Sequence, residues 1–440
     1  MTDLIQQLYP GHFATQCSRL EQVLEGSGFD TLMIYSGHAR AAFLDDYHYH
    51  FKPNPHFLSW LPLPDSPSSM LLLRPGQKPV LHYFQPEDYW HDVPPDPEAW
   101  WADLYDVQLH GEPVTPMSVR ETGSIALIAE LDETELPGGM ALNPRELIQR
   151  LHINRTVKTD YEIACMAAAN VSGAFAHTIA EQVFRGGGSE MEIHLAFLQA
   201  AGLTDFQSPY GNIVALNEHG STLHYTAKQL EAPQQSRSFL IDAGTVCNGY
   251  ASDITRTYSR DDGVFAEMIS AMDSRQQQFG AKAVAGVDYR ELHLDAHLGI
   301  ADCLNQFGLI DMSPESALES GVSFAFFPHG LGHFLGLQVH DVAGLVADAS
   351  GTPIARPEGH PTLRLTRTLE AGNVLTIEPG VYFIDSLLAD LAASEHSASI
   401  NWDKVDALRP YGGIRIEDNV VVGEGGNRNL TREAFAGLAV

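Results

Sequence analysis

Two apolar segments flank an Asn248-Gly249 pair in the stretch 238–256, which reads SFLIDAGTVCNGYASDITR. Asn-Gly between such segments is a strong signal for a two-residue β-hairpin turn. If this turn closes the hairpin, antiparallel pairing places Asp242 opposite Thr255. The stretch therefore predicts two paired strands in the C-terminal part of the chain, and their register fixes the positions of the acidic side chains.

The same register brings two carboxylates together. Asp253 is predicted to lie opposite Gly244 and to share a sheet face with Asp242, as a diagonal neighbour about 7–8 Å away at the backbone. Two carboxylates directed to one place in an apolar sheet repel each other, and a bound cation would remove that cost. Two solvated aspartates on a sheet face fit the same pattern, so the pair alone does not establish a site.

A histidine-rich segment follows at 327–341, FPHGLGHFLGLQVHD. Its glycines disfavour a regular helix, although His329 and His333 have i, i+4 spacing. From Leu335 onward the alternation of apolar residues predicts extended chain, with His340 on the face opposite the apolar side chains. A single histidine is usually structural, but three within twelve positions leave a structural role and a binding role equally open.

Two later segments each end in an acid. Glu378 closes the apparent strand 374–378 and precedes Pro379, which blocks further pairing. In 413–418, GIRIED, the isoleucines alternate with Arg415 and Glu417, which predicts one buried face and one face that carries a cation beside an acid. Alone, each segment also fits an ordinary ion pair or a solvated edge.

Together these patterns supply four carboxylates and one imidazole, a suitable donor set for two hard or borderline divalent cations. Such a set favours manganese, cobalt or zinc over copper because it has no thiolate and few nitrogens. Two such ions lower the pKa of a bridging water and polarise a carbonyl. The set therefore predicts a hydrolase with these metal ligands: Asp242, Asp253, His333, Glu378 and Glu417.

Composition narrows the classes of partner. The chain has 440 residues, which favours two domains, and a formal net charge of −30, which argues against nucleic acid and anionic membrane partners. Its four cysteines form no C-x-x-C pair, and neither a secretory signal nor an uninterrupted apolar run of spanning length is apparent. We therefore expect a cytoplasmic protein.

A capping box at 159–162 opens a long helix, and we place the domain boundary just before it, giving domains 1–157 and 158–440.

The five ligands, in this order and context, resemble those of the pita-bread metallopeptidases, which include methionine aminopeptidase, aminopeptidase P and the Xaa-Pro dipeptidases. Four further stretches are similar to bacterial Xaa-Pro dipeptidases (prolidases) and to the organophosphorus acid anhydrolases: FLDD at 43–46, FKPNPHF at 51–57, PYGNIVALN at 209–217 and YFIDSLL at 382–388. The resemblance covers nearly the full length. It implies an α/β (α+β) protein, with an N-terminal creatinase-like α/β domain followed by a pita-bread catalytic domain.

The resemblance also implies a mechanism and roles for further residues. It predicts hydrolysis of Xaa-Pro dipeptides at two divalent cations per subunit, manganese first with cobalt or zinc as alternatives, and a weak phosphotriesterase activity. Glu378 is expected to transfer the proton of the attacking water, and His340 and His329 to stabilise the oxyanion and the site. The remaining expected roles are binding of the proline carboxylate by His224 and Arg364, lining of the pocket by Tyr210, and orientation of Glu417 by Arg415.

An expectation about assembly rests on the aromatic N-terminal segment. Aromatic residues are enriched in interface cores, and similar prolidases are homodimers in which an N-terminal loop reaches the partner's active site. We therefore expect a homodimer in which Asp45 or Asp46 meets the free amino group of the substrate. Packing of these aromatics within their own domain is the alternative.

Three other functions fit parts of the pattern. A metal-free enzyme that resembles creatinase and a non-catalytic binding protein on the same fold would both be expected to lack several ligands, whereas all five positions are filled. An aminopeptidase P that acts on longer peptides shares the fold, the ligands and the preference for proline, so it remains the main alternative.

Overall fold

The structure, a computed structural model, describes residues 2–90, 93–131 and 138–438. The chain divides into two compact units. Unit 1 comprises Met1–Cys165, Cys247–Tyr250 and Asp348–Thr352, and unit 2 comprises Met166–Val246, Ala251–Ala347 and Pro353–Val440.

Unit 1 is built on a mixed sheet that contains six strands within the described ranges, in the order β4-β3-β2-β1-β5-β6. Strands β2 and β3 pair antiparallel and form a hairpin. A buried cluster that includes Met33, Leu72 and Leu127 forms the core on this sheet. The elements are α1 (Thr2–Leu24), β1 (Thr31–Tyr35), α2 (Pro55–Leu58), β2 (Met70–Leu73), β3 (Val80–Phe84), α3 (Ala99–Ala102), β4 (Asp106–His110), β5 (Ile125–Ile128), β6 (Met140–Leu142) and α4 (Arg145–Thr156).

From residue 160 onward, long helices alternate with short strands, so the chain is of mixed α/β type as expected. The strands form small sheets, among them β11-β8-β7, β12-β15-β16 and β13-β14. The elements are α5 (Asp160–Arg185), α6 (Glu190–Ala201), β7 (Ile213–Leu216), β8 (Ser238–Asp242), β9 (Val246–Cys247), β10 (Tyr250–Ala251), β11 (Thr255–Ser259), α7 (Val264–Lys282), α8 (Tyr289–Gln306), α9 (Pro314–Glu319), α10 (Val322–Phe326), β12 (Val374–Ile377), β13 (Gly380–Tyr382), α11 (Asp385–Ala393), α12 (Trp402–Leu408), β14 (Gly413–Arg415), β15 (Asp418–Val422), β16 (Asn427–Asn429) and α13 (Leu430–Leu438).

The capping box before α5 is formed as predicted. The backbone N–H of Thr159 donates to Glu162 Oε2 at 2.8 Å, and the N–H of Glu162 donates to Thr159 Oγ1 at 3.4 Å. Each side chain thus satisfies a backbone donor that the first turn of the helix leaves free. A second capping box, formed by Ser189 and Glu192, opens α6 in the same way.

The predicted hairpin register is also confirmed. Asn248 and Gly249 both have positive φ, at 49° and 86°, as a two-residue turn of this kind requires. Thr255 pairs with Asp242 in the ladder between β8 and β11. A Cβ at Gly244 would clash with the carbonyl oxygen of Ser252, so the close approach of the two sides of the hairpin depends on glycine at this position.

The largest core cluster of unit 2 surrounds the predicted site. Leu331, Phe334, Ile377, Ile414 and Ile416 are each at most 2% exposed and belong to this cluster. They are close sequence neighbours of His333, Glu378 and Glu417, so the packed core holds the backbone at three ligand positions.

Among the described residues, one helix, α5, is long and apolar enough to cross a membrane by length and composition alone. No uninterrupted apolar run had indicated it, because polar residues such as Asn170 and His177 interrupt its sequence. Both of these side chains are fully buried, and 56% of its most apolar window is buried inside the protein. A core helix passes the same test, so this is weak grounds for a membrane span.

Candidate metal centre

The five predicted ligands all belong to unit 2. They lie at the ends of strands or on irregular backbone, where carboxylates and imidazoles can converge without interrupting a ladder. Asp242 ends β8, Asp253 precedes β11, His333 lies on irregular chain after α10, Glu378 separates β12 from β13, and Glu417 separates β14 from β15.

The two aspartates converge on one phenol. The hydroxyl of Tyr210 lies 2.8 Å from Asp242 Oδ1 and 2.5 Å from Asp253 Oδ1. The hairpin register therefore brings these carboxylates to one place, as the sequence predicts. Tyr210 itself, expected to line the pocket, contacts both of them directly.

The late extended segment 413–422 is interrupted at Glu417, which separates β14 from β15. Before the break, Arg415 pairs with Gly380, and after it Asp418 pairs with Ile377. Pro379 has no N–H to continue the first ladder, and the N–H of Glu417 donates instead to the carbonyl of Thr255 at 3.0 Å. Glu378 and Glu417 thus both lie where one antiparallel strand pair ends and the next begins.

The backbone orients the His333 ring. Its Nδ1 lies 2.9 Å from the carbonyl oxygen of Phe334, an acceptor, so Nδ1 carries a proton and Nε2 is the nitrogen that faces the carboxylates. That Nε2 lies 3.5 Å from Asp253 Oδ2 and 3.6 Å from Glu378 Oε1. The preceding Gly332 is required here, because a Cβ would clash with the carbonyl oxygen of Thr376.

The prediction of extended chain after Leu335 is wrong. Residues 336–340 form a series of bends. The cause is local: the N–H of Gly336 donates to the carbonyl of Gln338 at 3.1 Å, which folds the chain back instead of extending it. The prediction that the histidine-rich segment is not helical is confirmed.

When no cation is bound, the buried carboxylates of the site repel one another, and their pKa values are shifted. Burial, reinforced by the neighbouring acids, raises the pKa of Glu417 and also that of Asp242, the latter against the opposing effect of Arg415. Burial also raises the pKa of Glu378, to about 7. Asp253 differs: burial alone would raise its pKa, but the hydrogen bond and charge of His333 lower it. Three carboxyls thus resist ionisation together, a cost that cations would remove.

The donor set fits divalent metal ions. Ligand atoms of Asp253, His333 and Glu417 lie within 4.8 Å of one another, and all three residues are buried. The acids Asp242 and Glu378 extend this group. Four carboxylates and one imidazole, shielded by a packed core, suit hard or borderline cations.

The raised pKa of Glu378 predicts a pH dependence for chelated protein. A carboxyl whose folded pKa exceeds its unfolded value stabilises the fold below the unfolded value, and this contribution is lost as pH rises through about 7. Relative to Glu378→Gln, the free energy of unfolding of the wild type should fall by about 2 to 3 kcal/mol between about pH 5 and about pH 8. Urea unfolding of both proteins in chelator measures this difference. Parallel pH curves would contradict the assignment.

Arg415 lies deeper than the sequence indicates. Both faces of 413–418 are buried, because Arg415 is 4% and Glu417 2% exposed. The guanidinium donates from Nη2 to Asp242 Oδ2 at 2.6 Å and from Nε to Thr255 Oγ1 at 3.1 Å. Thr255 Oγ1 in turn donates to Glu417 Oε2 at 2.6 Å. Arg415 therefore contacts Asp242 directly and reaches Glu417 through Thr255.

Tyr382 links the site to His329. Its hydroxyl lies 2.7 Å from His329 Nε2 and accepts from Arg415 Nη1 at 3.0 Å. His329 Nδ1 lies 2.9 Å from the carbonyl oxygen of Gly330, so Nδ1 carries the proton and Nε2 accepts from the phenol. Burial lowers the pKa of His329 to about 3, so this imidazole is neutral. Sequence reasoning missed Thr255 and Tyr382 as site residues, because their contacts depend on distant strands.

The other predicted side chains are more exposed. The His340 ring is perpendicular to that of His333, with centroids 4.4 Å apart. Burial of the ring, followed by the charges of His333 and Arg364, lowers the pKa of His340 to about 4. Arg364 and His224 are exposed, and their charges help to lower the pKa of His340, so both lie near its ring. Within unit 2 these side chains form a polar, exposed margin next to the buried ligands.

A buried carboxylate holds the segment that carries His224. Glu190, 1% exposed, accepts from the N–H groups of Leu216 and Gln229 at 2.9 Å each and from the hydroxyl of Tyr225 at 2.8 Å. It also lies 2.7 Å from His219 Nδ1. The sequence showed only a helix-start acid here, so this positioning role was not predicted.

Asp45 and Asp46 belong to unit 1. Both are exposed on a hairpin-like loop, in which Ala41 pairs with His48. Asp45 Oδ1 accepts from the N–H of Asp46 at 2.8 Å, so it shapes the turn as well as carrying charge.

Two family models match this chain. Residues 7–153 match the N-terminal domain of Xaa-Pro dipeptidase, and residues 162–424 match metallopeptidase family M24. An Xaa-Pro dipeptidase of Stenotrophomonas maltophilia is 48% identical over 440 residues, covering 98% of this chain and 99% of the relative. An Xaa-Pro dipeptidase of Xanthomonas campestris pv. campestris is 49% identical over 432 residues, covering 98% of each chain.

Several solved structures of similar fold are aminopeptidases. Escherichia coli aminopeptidase P with the inhibitor Pro-Leu superposes with a TM-score of 0.70 at 21% identity, covering 98% of this chain and 97% of the other. The Pseudomonas aeruginosa aminopeptidase PepP gives a TM-score of 0.70 at 21% identity, covering 99% and 98%. At this identity the likeness shows the fold alone.

Proposed function

The chain belongs to metallopeptidase family M24, with the N-terminal domain typical of Xaa-Pro dipeptidases, and from this premise we propose that it hydrolyses Xaa-Pro dipeptides. The observation that carries the proposal is the convergence of four carboxylates and one imidazole on a single site in such a chain. An aminopeptidase P activity has less support, because the aminopeptidase structures share only the fold.

We propose two divalent cations per subunit at this site, with manganese as the preferred ion and cobalt or zinc as alternatives. An oxygen-rich set with one nitrogen suits these ions. When bound, they would supply Lewis-acid activation of water and of the scissile carbonyl. The ligands in this proposal are Asp242, Asp253, His333, Glu378 and Glu417.

The protein's own groups handle the proton and the developing charge. The Glu378 carboxylate can accept a proton from water and return it to the departing proline nitrogen. His340, neutral and at the exposed margin, can donate an N–H to the carbonyl oxygen as it becomes negative. His329, whose Nε2 accepts from Tyr382, fixes that phenol beside Arg415 and so keeps the site in shape.

The test of the activity uses full-length protein stripped of metal. Leu-Pro and Gly-Pro should be hydrolysed after Mn²⁺ is restored and not in chelator. Leu-Ala serves as the control substrate that lacks proline. Failure to hydrolyse either Xaa-Pro dipeptide with Mn²⁺, Co²⁺ or Zn²⁺ would overturn the proposal.

Arg364 is proposed to bind the proline carboxylate together with His224. A guanidinium binds a carboxylate bidentately, so we expect Arg364→Ala to raise KM for Leu-Pro about 10- to 100-fold. Leucyl-prolinamide has no carboxylate, and its KM should change little. Arg428→Ala removes another exposed arginine, which pairs with Glu433, and provides the control variant. Equal effects on both substrates would exclude carboxylate binding by Arg364.

We also propose a homodimer formed through the loop of unit 1. At its tip Phe43 and Leu44 are 89% and 90% exposed, and Leu44 adopts positive φ, at 58°. Large apolar side chains held at a protruding turn are typical of a surface that another chain covers. In contrast, Phe57 and Trp60 of the following aromatic segment are buried in their own unit, so the alternative packing applies to them.

Light scattering tests the dimer: two chains of 48.2 kDa give about 96 kDa. Phe43→Ser should shift the protein toward monomer, whereas Tyr89→Ser, which removes an equally exposed aromatic elsewhere in unit 1, should not. A wild-type mass near 48 kDa at micromolar concentration would contradict the dimer.

For the proposed amino-group contact, Asp45→Asn and Asp46→Ala should raise KM for free dipeptides more than for N-blocked ones.

Three further proposals follow from the sequence alone. We propose a cytoplasmic location and a domain boundary at 157/158. We also propose a weak phosphotriesterase activity, because a metal-activated water can attack phosphorus as well as carbon. Release of nitrophenol from a phosphotriester in the presence of Mn²⁺ or Co²⁺ measures that activity.

A further inference from the structure

A second histidine cluster lies apart from the five ligands in sequence. His293 and His297 are one turn apart on α8, and His360 lies on the irregular chain before β12. The three ring centroids are 4.6–4.7 Å apart, and one ring nitrogen from each lies within 4.8 Å of the others. All three side chains are buried, and the first two are at most 1% exposed. Three imidazoles therefore share one small buried volume.

The hydrogen bonds of this cluster leave a buried nitrogen of His297 without a partner. The N–H of Leu331 donates to His293 Nδ1 at 3.3 Å, so His293 Nε2 carries the proton and donates to His360 Nδ1 at 2.9 Å. His297 Nδ1 lies 3.0 Å from Ser323 Oγ. His297 Nε2, although fully buried, finds no hydrogen-bond partner among the described residues.

A buried nitrogen without a hydrogen-bond partner lowers the stability of the folded protein. A buried polar atom without a partner costs about 1–3 kcal/mol. Burial lowers the pKa of His293 to about 3 and that of His297 to about 2, so both rings are neutral at physiological pH. Neutral imidazole is the form that ligates metals, and no ionisation has to be reversed before binding.

We propose that His293, His297 and His360 bind a single imidazole-preferring divalent cation, Zn²⁺ in the first place. Three nitrogens without a carboxylate suit zinc, whereas the oxygen-rich centre suits manganese. Two nitrogens of a tetrahedral zinc site lie about 3.3 Å apart, given Zn–N bonds of about 2.0–2.1 Å. The 2.9 Å separation of His293 Nε2 and His360 Nδ1 needs only a small expansion, and the proton of His293 moves from Nε2 to Nδ1, which replaces the long hydrogen bond from the N–H of Leu331.

Zinc bound at this site would cross-link two segments that are distant in sequence. His360 lies in a short turned segment: its N–H donates to the carbonyl of Pro357, and its carbonyl accepts from the N–H of Leu363. Arg364 follows directly. Zinc at the cluster would tie this segment to α8 and steady the exposed arginine proposed to bind substrate, without contacting substrate itself.

The first test uses wild-type protein and so avoids folding defects. Crystals of the full chain grown with Zn²⁺ should show anomalous density at the zinc edge among the three imidazoles. This peak is separate from any peak at the five ligands. Zinc density at the five ligands with none at the histidine cluster would overturn the proposal.

The second test measures the bound zinc per chain in a variant that lacks two of the five metal ligands. Asp242→Asn/Glu417→Gln protein, stripped and dialysed against Zn²⁺, should retain about one ion per chain and gain thermal stability on Zn²⁺ addition. Adding His297→Gln should abolish both effects. Adding His194→Gln should preserve both, because His194 is also buried with an unpartnered nitrogen but pairs with Asp205. Retention of the ion in the His297→Gln protein would refute the site, whatever the peptidase activity.

Discussion

Replacing His333 by alanine lowers kcat/KM for Leu-Pro by at least about 1,000-fold and reduces the bound metal, because the site loses its single nitrogen donor. A metal ion supplies several kcal/mol of charge stabilisation in hydrolysis, and each 1.36 kcal/mol corresponds to a factor of about ten in rate. Asp242→Asn should have an effect of similar size. It preserves the acceptor for Arg415 but removes the negative charge that a cation needs.

The measurements are metal content after dialysis against Mn²⁺ and steady-state kinetics at saturating metal. Circular dichroism should show the native fold in both variants, because neither substitution enlarges a side chain. His194→Gln, which replaces a buried histidine outside the site, controls for general disturbance. A fully active Asp242→Asn protein would remove the metal assignment.

Replacing Arg415 by methionine should destabilise the metal-free protein by about 3–5 kcal/mol. Arg415 is the cation that compensates Asp242, and removing one member of a buried ion pair leaves the other charge unpaired. Methionine keeps much of the length of the side chain but none of its donors to Thr255 and Tyr382. Urea unfolding in chelator measures the loss, which should be smaller in Mn²⁺ because bound cations compensate the same carboxylate.

A double variant separates charge from packing. If the unpaired charge dominates, Arg415→Met/Asp242→Asn should recover part of the stability lost in Arg415→Met. A double variant that is destabilised by the full sum of both single changes would show that the two residues do not interact. That result would contradict the role of Arg415 as the counter-charge of the site.

The hairpin register could be predicted because its determinants are local. Asn248-Gly249 fixes the turn, and the pairing of Thr255 with Asp242 follows from it. The contact between Arg415 and Asp242 could not be predicted, because it joins residues 173 positions apart. The same holds for the histidine cluster, in which His360 is 67 positions from His293.

Alternation of apolar residues was a weaker guide. It correctly placed Ile414 and Ile416 in the core, but it did not show that the opposite face, which carries Arg415 and Glu417, is buried as well. Period-two patterns identify one buried face and give no information on what covers the other. Here the second face is covered by the chain that carries Thr255 and by the metal ligands.

The fold by itself does not separate a dipeptidase from an aminopeptidase P, since the solved aminopeptidases share it over nearly the whole chain. What separates the two activities is the treatment of the residue after proline. A dipeptidase must bind a free carboxylate there, as proposed for Arg364 and His224, whereas an aminopeptidase must accept a continuing peptide.

The most direct test of the dipeptidase function is therefore the ratio of kcat/KM for Leu-Pro to that for Leu-Pro-Leu, measured with Mn²⁺-loaded, full-length protein. We predict a preference for the dipeptide of at least about tenfold, since the tripeptide lacks the charge-assisted contact to the proline carboxylate. Cleavage of the Leu-Pro bond in Leu-Pro-Leu at an equal or higher kcat/KM would contradict the dipeptidase function and favour an aminopeptidase P.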